Sequence, residues 1–102
     1  MKTSQAEGEV LNYLVAKAEG QIYHGPAWTK YSTDWAQAGP IIEREGINLV
    51  RLESARWEAW PDVGMNDQYC QGPTPLVAAM RAYVASKLGD EVEVPTNLFS
   101  EV

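Results

Sequence analysis

Apolar residues at Leu11, Leu14, Val15 and Ala18 recur in steps of three and four, the spacing of one helix face. Ser4, followed three residues later by Glu7, has the pattern of a capping box, and Gly20 falls where a glycine commonly closes a helix. The pattern predicts a first helix over residues 5–19. Around Gly25-Pro26 the period breaks into a connection, with Ile22 and Tyr23 as a candidate short strand. A second helix opens at Ser32-Thr33-Asp34. Ser32 and Thr33 are its N-cap candidates, and Asp34 lies at or just inside the start, where a carboxylate complements the helix dipole. Trp35, Ala38, Ile41 and Ile42 mark its expected buried face, and Gly46 its end. Pro40 lies inside it and forfeits a backbone hydrogen bond, so the stretch is either one kinked helix or a turn with a second start at Pro40.

The period then shortens. Ile47–Leu52 reads as a strand rich in branched apolar residues, and Arg56–Trp60 as a second, with Trp57 and Ala59 on one face. Turn signals lie at Glu53–Ala55 and Pro61–Gly64, and Gln68–Gln71 supplies a third strand. Thr74 caps the last helix and Pro75 takes its first position, where a missing N–H does no harm. Leu76, Ala79, Met80, Tyr83, Val84 and Leu88 form its core stripe, and Gly89 closes it. The expectation is an α+β fold: a single small domain over residues 1–95, with an N-terminal helix and then α-β-β-β-α. Its three-stranded antiparallel sheet is packed by helices, and residues 96–102 form a C-terminal tail.

Composition narrows the function. With 102 residues the chain is one domain, and its 14 acidic against 8 basic residues give a net charge of −6. Nonspecific nucleic-acid binding rests on neutralising phosphates, so no direct DNA or RNA binding is expected. The lone Cys70 excludes an internal disulfide and fits a reducing cytoplasm. No apolar run approaches the ~20 residues of a membrane span, and the start has no signal-peptide core. The sole histidine, His24, has neither a metal-spaced partner nor a visible nucleophile. With no phosphate loop and no catalytic motif, no enzyme activity, metal or cofactor is expected. Glu43, Glu45, Glu91 and Glu93 read as solvated charges. Four tryptophans and five tyrosines against one phenylalanine favour residues with a polar handle, which serve either a thin core or a binding surface.

Tyr31-Ser32-Thr33-Asp34-Trp35-Ala36-Gln37-Ala38-Gly39-Pro40-Ile41-Ile42-Glu43-Arg44-Glu45-Gly46-Ile47 resembles a small family of tailed-phage and prophage proteins that includes the NinX proteins of lambda-like phages. Gly72 to Val92 and Leu11 to Gly20 are similar to it as well. The resemblance covers most of the chain, and Ala38 stands where glycine is expected in family members. More distantly, the Tyr31–Asp34 start and the Thr74-Pro75-Leu76 helix resemble the phage ABA sandwich domain, which implies helices flanking a small sheet. A phage origin is implied; an activity is not.

If the second helix runs up and three antiparallel strands follow, the last helix also runs up, and both helix starts share one end of the fold. Unpaired amides at helix starts form a ready anion site. Hydroxyls of Ser32, Thr33 and Thr74 add hydrogen bonds, Tyr31, Trp35 or Trp28 can stack on a base, and Asp34 can hold a ribose hydroxyl or an amino group. The plainer reading is that these residues are only caps. The candidate ligand-binding set is Tyr31, Ser32, Thr33, Asp34, Trp35, Gly72, Thr74 and Arg81, with Arg81 expected to reach solvent or an acidic partner. Phage origin and absent catalysis together suggest an accessory protein in the cytoplasm of the infected bacterium. It would counter host immunity by sequestering a small nucleotide-type immune signal, as a homo-oligomer whose pocket a neighbouring chain completes. The alternative is an acidic inhibitor or adaptor that binds a host protein, which the net charge favours because nucleotides are anions too. DNA mimicry is weaker, because the acidic residues are not concentrated enough to imitate phosphate spacing.

Overall fold

The computed structural model describes residues 1–62 and 69–95. A 3-10 turn, Thr3–Gln5, precedes α1 (Gly8–Ala18) and α2 (Trp35–Glu45). Then come β1 (Ile47–Arg51), β2 (Trp57–Pro61), β3 (Cys70–Gly72) and α3 (Pro75–Leu88). The strands form one antiparallel sheet in the order β1-β2-β3, as the sequence led us to expect. The expected tail over 96–102, the turn after Asp62 and the start of the third strand at Gln68 lie outside the described residues.

Helix α3 is the centre of the molecule rather than a one-sided amphipathic element. Every residue from Leu76 to Ala85 is buried. The sheet packs on one side of it, and α1, α2 and the 3-10 turn pack around the rest. Leu76, Met80, Tyr83 and Val84 supply bulk, while Ala78, Ala79, Ala82 and Ala85 are small enough to let neighbours close in on the other sides. A helix buried all round needs no polar face. Ile47, Leu49, Trp57, Ala59 and Cys70 carry the helix-facing side of the sheet. Alternation puts Asn48, Val50, Glu58, Trp60 and Gln71 on the opposite side, so the helices pack one face of the sheet and do not flank it. Burial pushes the Cys70 thiol pKa up, which keeps it protonated and inert.

The N-terminus departs from the capping-box expectation. Glu7, not Ser4, is the N-cap of α1, and its side chain makes no cap bond. Long-range pairing decides this. The Thr3 amide donates to Asp90 O (2.8 Å), its hydroxyl to Gly89 O (2.7 Å), and Lys2 bridges Glu91, so residues 1–3 are drawn onto the strand-like segment after α3. At the other end of α1, the amides of Gly20 and Gln21 close onto Lys17 O (3.1 Å) and Ala16 O (2.8 Å), which bears out Gly20 as the closing residue. Ile22 and Tyr23 form no strand. Helix α2 is continuous through Pro40, whose position is exposed, so the carbonyl left without an N–H partner can face water. Gly46 ends α2 in the left-handed conformation (φ 62°), and a Cβ there would lie 3.1 Å from Asp62 Cβ.

The C-terminal parts of the three helices are tied by a charge network. Arg44 grips Glu19 with two bonds (2.6 and 3.2 Å) and reaches Glu45 (2.8 Å), while Lys87 lies 3.4 Å from Glu45. The Tyr83 hydroxyl donates to Glu19, and its ring sits beneath the Arg44 and Lys87 cations. The Arg44 guanidinium, and behind it the Tyr83 hydroxyl, hold the Glu19 carboxyl below its usual value near 4.5 against the opposing effect of burial. A carboxylate depressed on folding adds stability above its unfolded value and loses it as pH falls through the folded one. The midpoint of urea unfolding is therefore expected to fall from pH 4.5 downward, and Glu19→Gln should flatten that decline. An equally steep acid limb in the variant would remove Glu19 from the account.

Candidate functional site

Two chain segments that the sequence placed at one end of the fold do meet. Ser32, Thr33 and Trp35 line a cleft of about 270 Å³ with Thr74, Pro75 and Leu76. Helix α2 begins beside α3 and ends beside it, since Arg44 lies 3.3 Å from the Tyr83 hydroxyl, so the two run side by side in one direction. The N-cap of α2 is Asp34 rather than Ser32 or Thr33. Its Oδ1 accepts from the Ala36 amide (3.0 Å), and its carbonyl from Gln37 and Ala38. Thr74 Oγ1 accepts from the Val77 amide (3.1 Å), and its carbonyl from Ala78. Both helix starts are thus closed by their own residues. Asp34 also puts negative charge where a bare phosphate would go, which leaves the cleft better suited to uncharged polar and aromatic groups.

Trp35 does not join the buried face of α2; it is 53% exposed and stands at the cleft, which leaves Ala38, Ile41 and half-buried Ile42 to face the core. Ser32 is only 3% exposed. Its amide donates to Asn12 Oδ1 (2.7 Å), which pins the turn to α1, and its Oγ has no partner among the described residues. An unsatisfied buried hydroxyl costs roughly 1–3 kcal/mol, and it is retained here beside the cleft.

The remaining candidates lie elsewhere. Tyr31 lines a second depression of about 280 Å³ with Gln21, Ile22, His24, Trp28, Thr29 and Gln37. Burial, and then the Glu19 charge, raise the Tyr31 pKa. Gly72 offers no surface, because α3's first turn presses on it. Arg81, expected to reach solvent, is 6% exposed. Its Nε donates to Ala6 O and its Nη1 to Gln71 O, both at 2.7 Å, with Glu7 3.8 Å away. Desolvation lowers its pKa, with Glu7 opposing and Arg56 adding to the effect.

The connection between α1 and α2 was underrated by the sequence. The Trp28 and Thr29 amides close onto Gly25 O, and the His24 amide onto Thr29 Oγ1. Gln37 clasps the loop from α2, donating to Trp28 O (2.9 Å) and accepting from the Lys30 amide (2.8 Å). On this well-tied loop Ile22 is 74% and Trp28 75% exposed. Ordered loops that display large apolar side chains are characteristic of binding surfaces. The signal available in the sequence was a tryptophan just after a Gly-Pro breaker, where no core stripe runs. Among the described residues no group of His, Cys, Asp and Glu is placed to hold a metal ion, and no helix is long and apolar enough to cross a membrane.

The sequence profile described as Bacteriophage P22, NinX matches residues 2–87. The chain belongs to the NinX family of phage proteins. The match takes in the 3-10 turn, all three strands, the cleft residues and α3 to its penultimate residue. No curated protein matches the chain. For a NinX-family chain, membership establishes a phage protein, and the chemistry of the cleft must be argued from its own residues.

Proposed function

We propose that this NinX-family protein is a phage accessory protein that works by binding rather than catalysis. It sequesters a small nucleotide-type immune signal of the infected cell at the cleft between the starts of α2 and α3. The observation that carries the reading is the convergence of Ser32, Thr33 and Thr74 with the exposed Trp35 ring in one concavity. Hydroxyls that donate and accept suit ribose and base edges, and an exposed indole offers a stacking face. At about 270 Å³ the cleft lies just below the ~300–1,000 Å³ usual for small-molecule sites. A second chain closing over it, in a homo-oligomer, enlarges it to hold a whole ligand.

Native mass spectrometry after incubation with cyclic dinucleotides, cyclic oligonucleotides and ADP-ribose derivatives tests the reading. We expect one compound to be retained intact at fixed stoichiometry. Trp35→Ala removes a stacking contact worth ~1–3 kcal/mol and is expected to weaken retention at least fivefold without changing the melting temperature. Retention unaffected by Trp35→Ala, or a compound chemically altered by the protein, would refute the assignment.

A second reading is favoured by a separate observation, the exposure of Ile22 and Trp28 on a clasped loop of an acidic protein. That surface suits an inhibitor or adaptor that grips a host protein. It gains the weight if no nucleotide is retained and Trp28→Ala abolishes a co-purifying host partner.

A further inference from the structure

The four arginines divide into two pairs. Arg44 and Arg81 are engaged by internal carboxylates and carbonyls. The side chains of Arg51 and Arg56 are exposed and form no hydrogen bond or ion pair among the described residues, although Glu53 and Glu58 are close in sequence and acidic groups outnumber basic ones 14 to 8. Unpaired arginines in an acidic chain are candidates for anion recognition, because a planar guanidinium matches phosphate geometry with two parallel bonds.

Their place in the fold follows from the strand register. Arg51 pairs with Trp57, and Trp57 with Gly72, so the three form the last row of the sheet. The first turn of α3 rests on Gly72, where an added Cβ would meet Ala78 N at 2.8 Å. Arg51 stands two strands away, about 10 Å across the row. It shares its side of β1 with Ile47 and Leu49, which face the helices. Helix α2 is anchored at the opposite end of β1, where the Asp62 amide donates to Gly46 O (2.9 Å). Its 11 residues rise about 16 Å, close to the ~17 Å of the five residues of β1. The start of α2, with Trp35, therefore returns to the level of Arg51. The turn to β2 is held by Leu52 N to Arg56 O (2.7 Å) and Ala55 N to Leu52 O (3.0 Å), with Ala55 in the left-handed region (φ 66°). That turn keeps Arg56, across from Leu52 and one residue before Trp57, at the same end of the sheet as Arg51, close enough for its charge to bear on Arg81.

Resting on the nucleotide-binding reading above, we propose that Arg51, seconded by Arg56, binds the phosphate of the ligand, while the Trp35 cleft takes its base and sugar. The division explains how a cleft whose helix starts are already capped, one of them by the carboxylate of Asp34, can accept an anionic nucleotide: the negative charge lies toward the sheet end, away from the caps. The ligand class is a nucleoside carrying phosphate, not a free nucleoside.

Saturation-transfer NMR and calorimetry with adenosine, AMP and ADP-ribose on the wild type, Arg51→Gln and Arg56→Gln test this. The phosphorylated compounds are expected to bind about tenfold more tightly than adenosine, the size of a charge-assisted pair. Arg51→Gln should erase that preference while leaving adenosine binding and the melting temperature unchanged, and added salt should shrink it. Equal binding of adenosine and AMP, or a preference that survives Arg51→Gln, overturns the arginine assignment and leaves the cleft reading intact. Binding of none of the three, with no retention of any cyclic dinucleotide or cyclic oligonucleotide, overturns it together with that reading.

Discussion

Replacing Arg81 with methionine is expected to destabilise the protein by about 3 kcal/mol or more. The guanidinium joins three parts of the chain: the segment between the 3-10 turn and α1 through Ala6 O, edge strand β3 through Gln71 O, and α3 itself. Buried ion pairs can often be exchanged for apolar residues without loss, because both charges leave together. That escape is closed here. The two acceptors are backbone carbonyls that stay in place when the side chain is changed, and methionine fills the volume while leaving both without a donor. Glu7 adds little, since its side chain is 72% exposed. Lysine should rescue only part of the loss, because one ammonium cannot reproduce the fork geometry. A urea midpoint for Arg81→Met within error of wild type would show that the carbonyls find other partners, and the clamp would then be incidental.

What the sequence made legible, and what it hid, divides by the range of the forces involved. The strands and α3 were readable because local signals agree: branched residues over 47–50, Thr74 and Pro75 at a helix start, and Gly46 and Gly89 at helix ends. The α+β order followed, and with it the shared end of α2 and α3, because alternating antiparallel elements leave no other arrangement. Ser4 failed as a cap because bonds to Gly89 and Asp90, far along the chain, outweighed a local one. The stripe on α3 was real but incomplete: its alanines look neutral in sequence and become core only when α1 and the sheet close from both sides. Arg81 on that helix looked solvent-bound for the same reason. Trp35 has the right spacing for the α2 stripe, but it is the first residue of the helix, beyond the end of the surface that buries Ala38 and Ile41. Missing the core in this way leaves the Trp35 ring standing at the cleft.

Gly72→Val is expected to be the most damaging single change in the sheet, and Gly39→Ala the opposite in sign. At Gly72 a Cβ would stand 2.8 Å from Ala78 N and 2.9 Å from Val77 Cγ1. The Val77 methyl can rotate away; the Ala78 amide cannot, because it is bonded to Thr74 O in the first turn of α3. Either β3 leaves β2 or the central helix lifts from the sheet, and overpacking of this kind costs about 1–3 kcal/mol for alanine, with valine beyond that. The same displacement moves Thr74 and Leu76, so the variant should also lose ligand binding at the cleft even where enough of it folds to be assayed. Gly39 lies inside α2 with nothing within 4 Å of its would-be Cβ. Alanine there removes only the conformational freedom of the unfolded glycine and is expected to stabilise by roughly 0.5–1 kcal/mol. Chemical denaturation of the pair separates two reasons for a glycine in one small protein. At 72 it is the distance between strand and helix that forbids a side chain, so α3 can serve as the core only while that position stays bare.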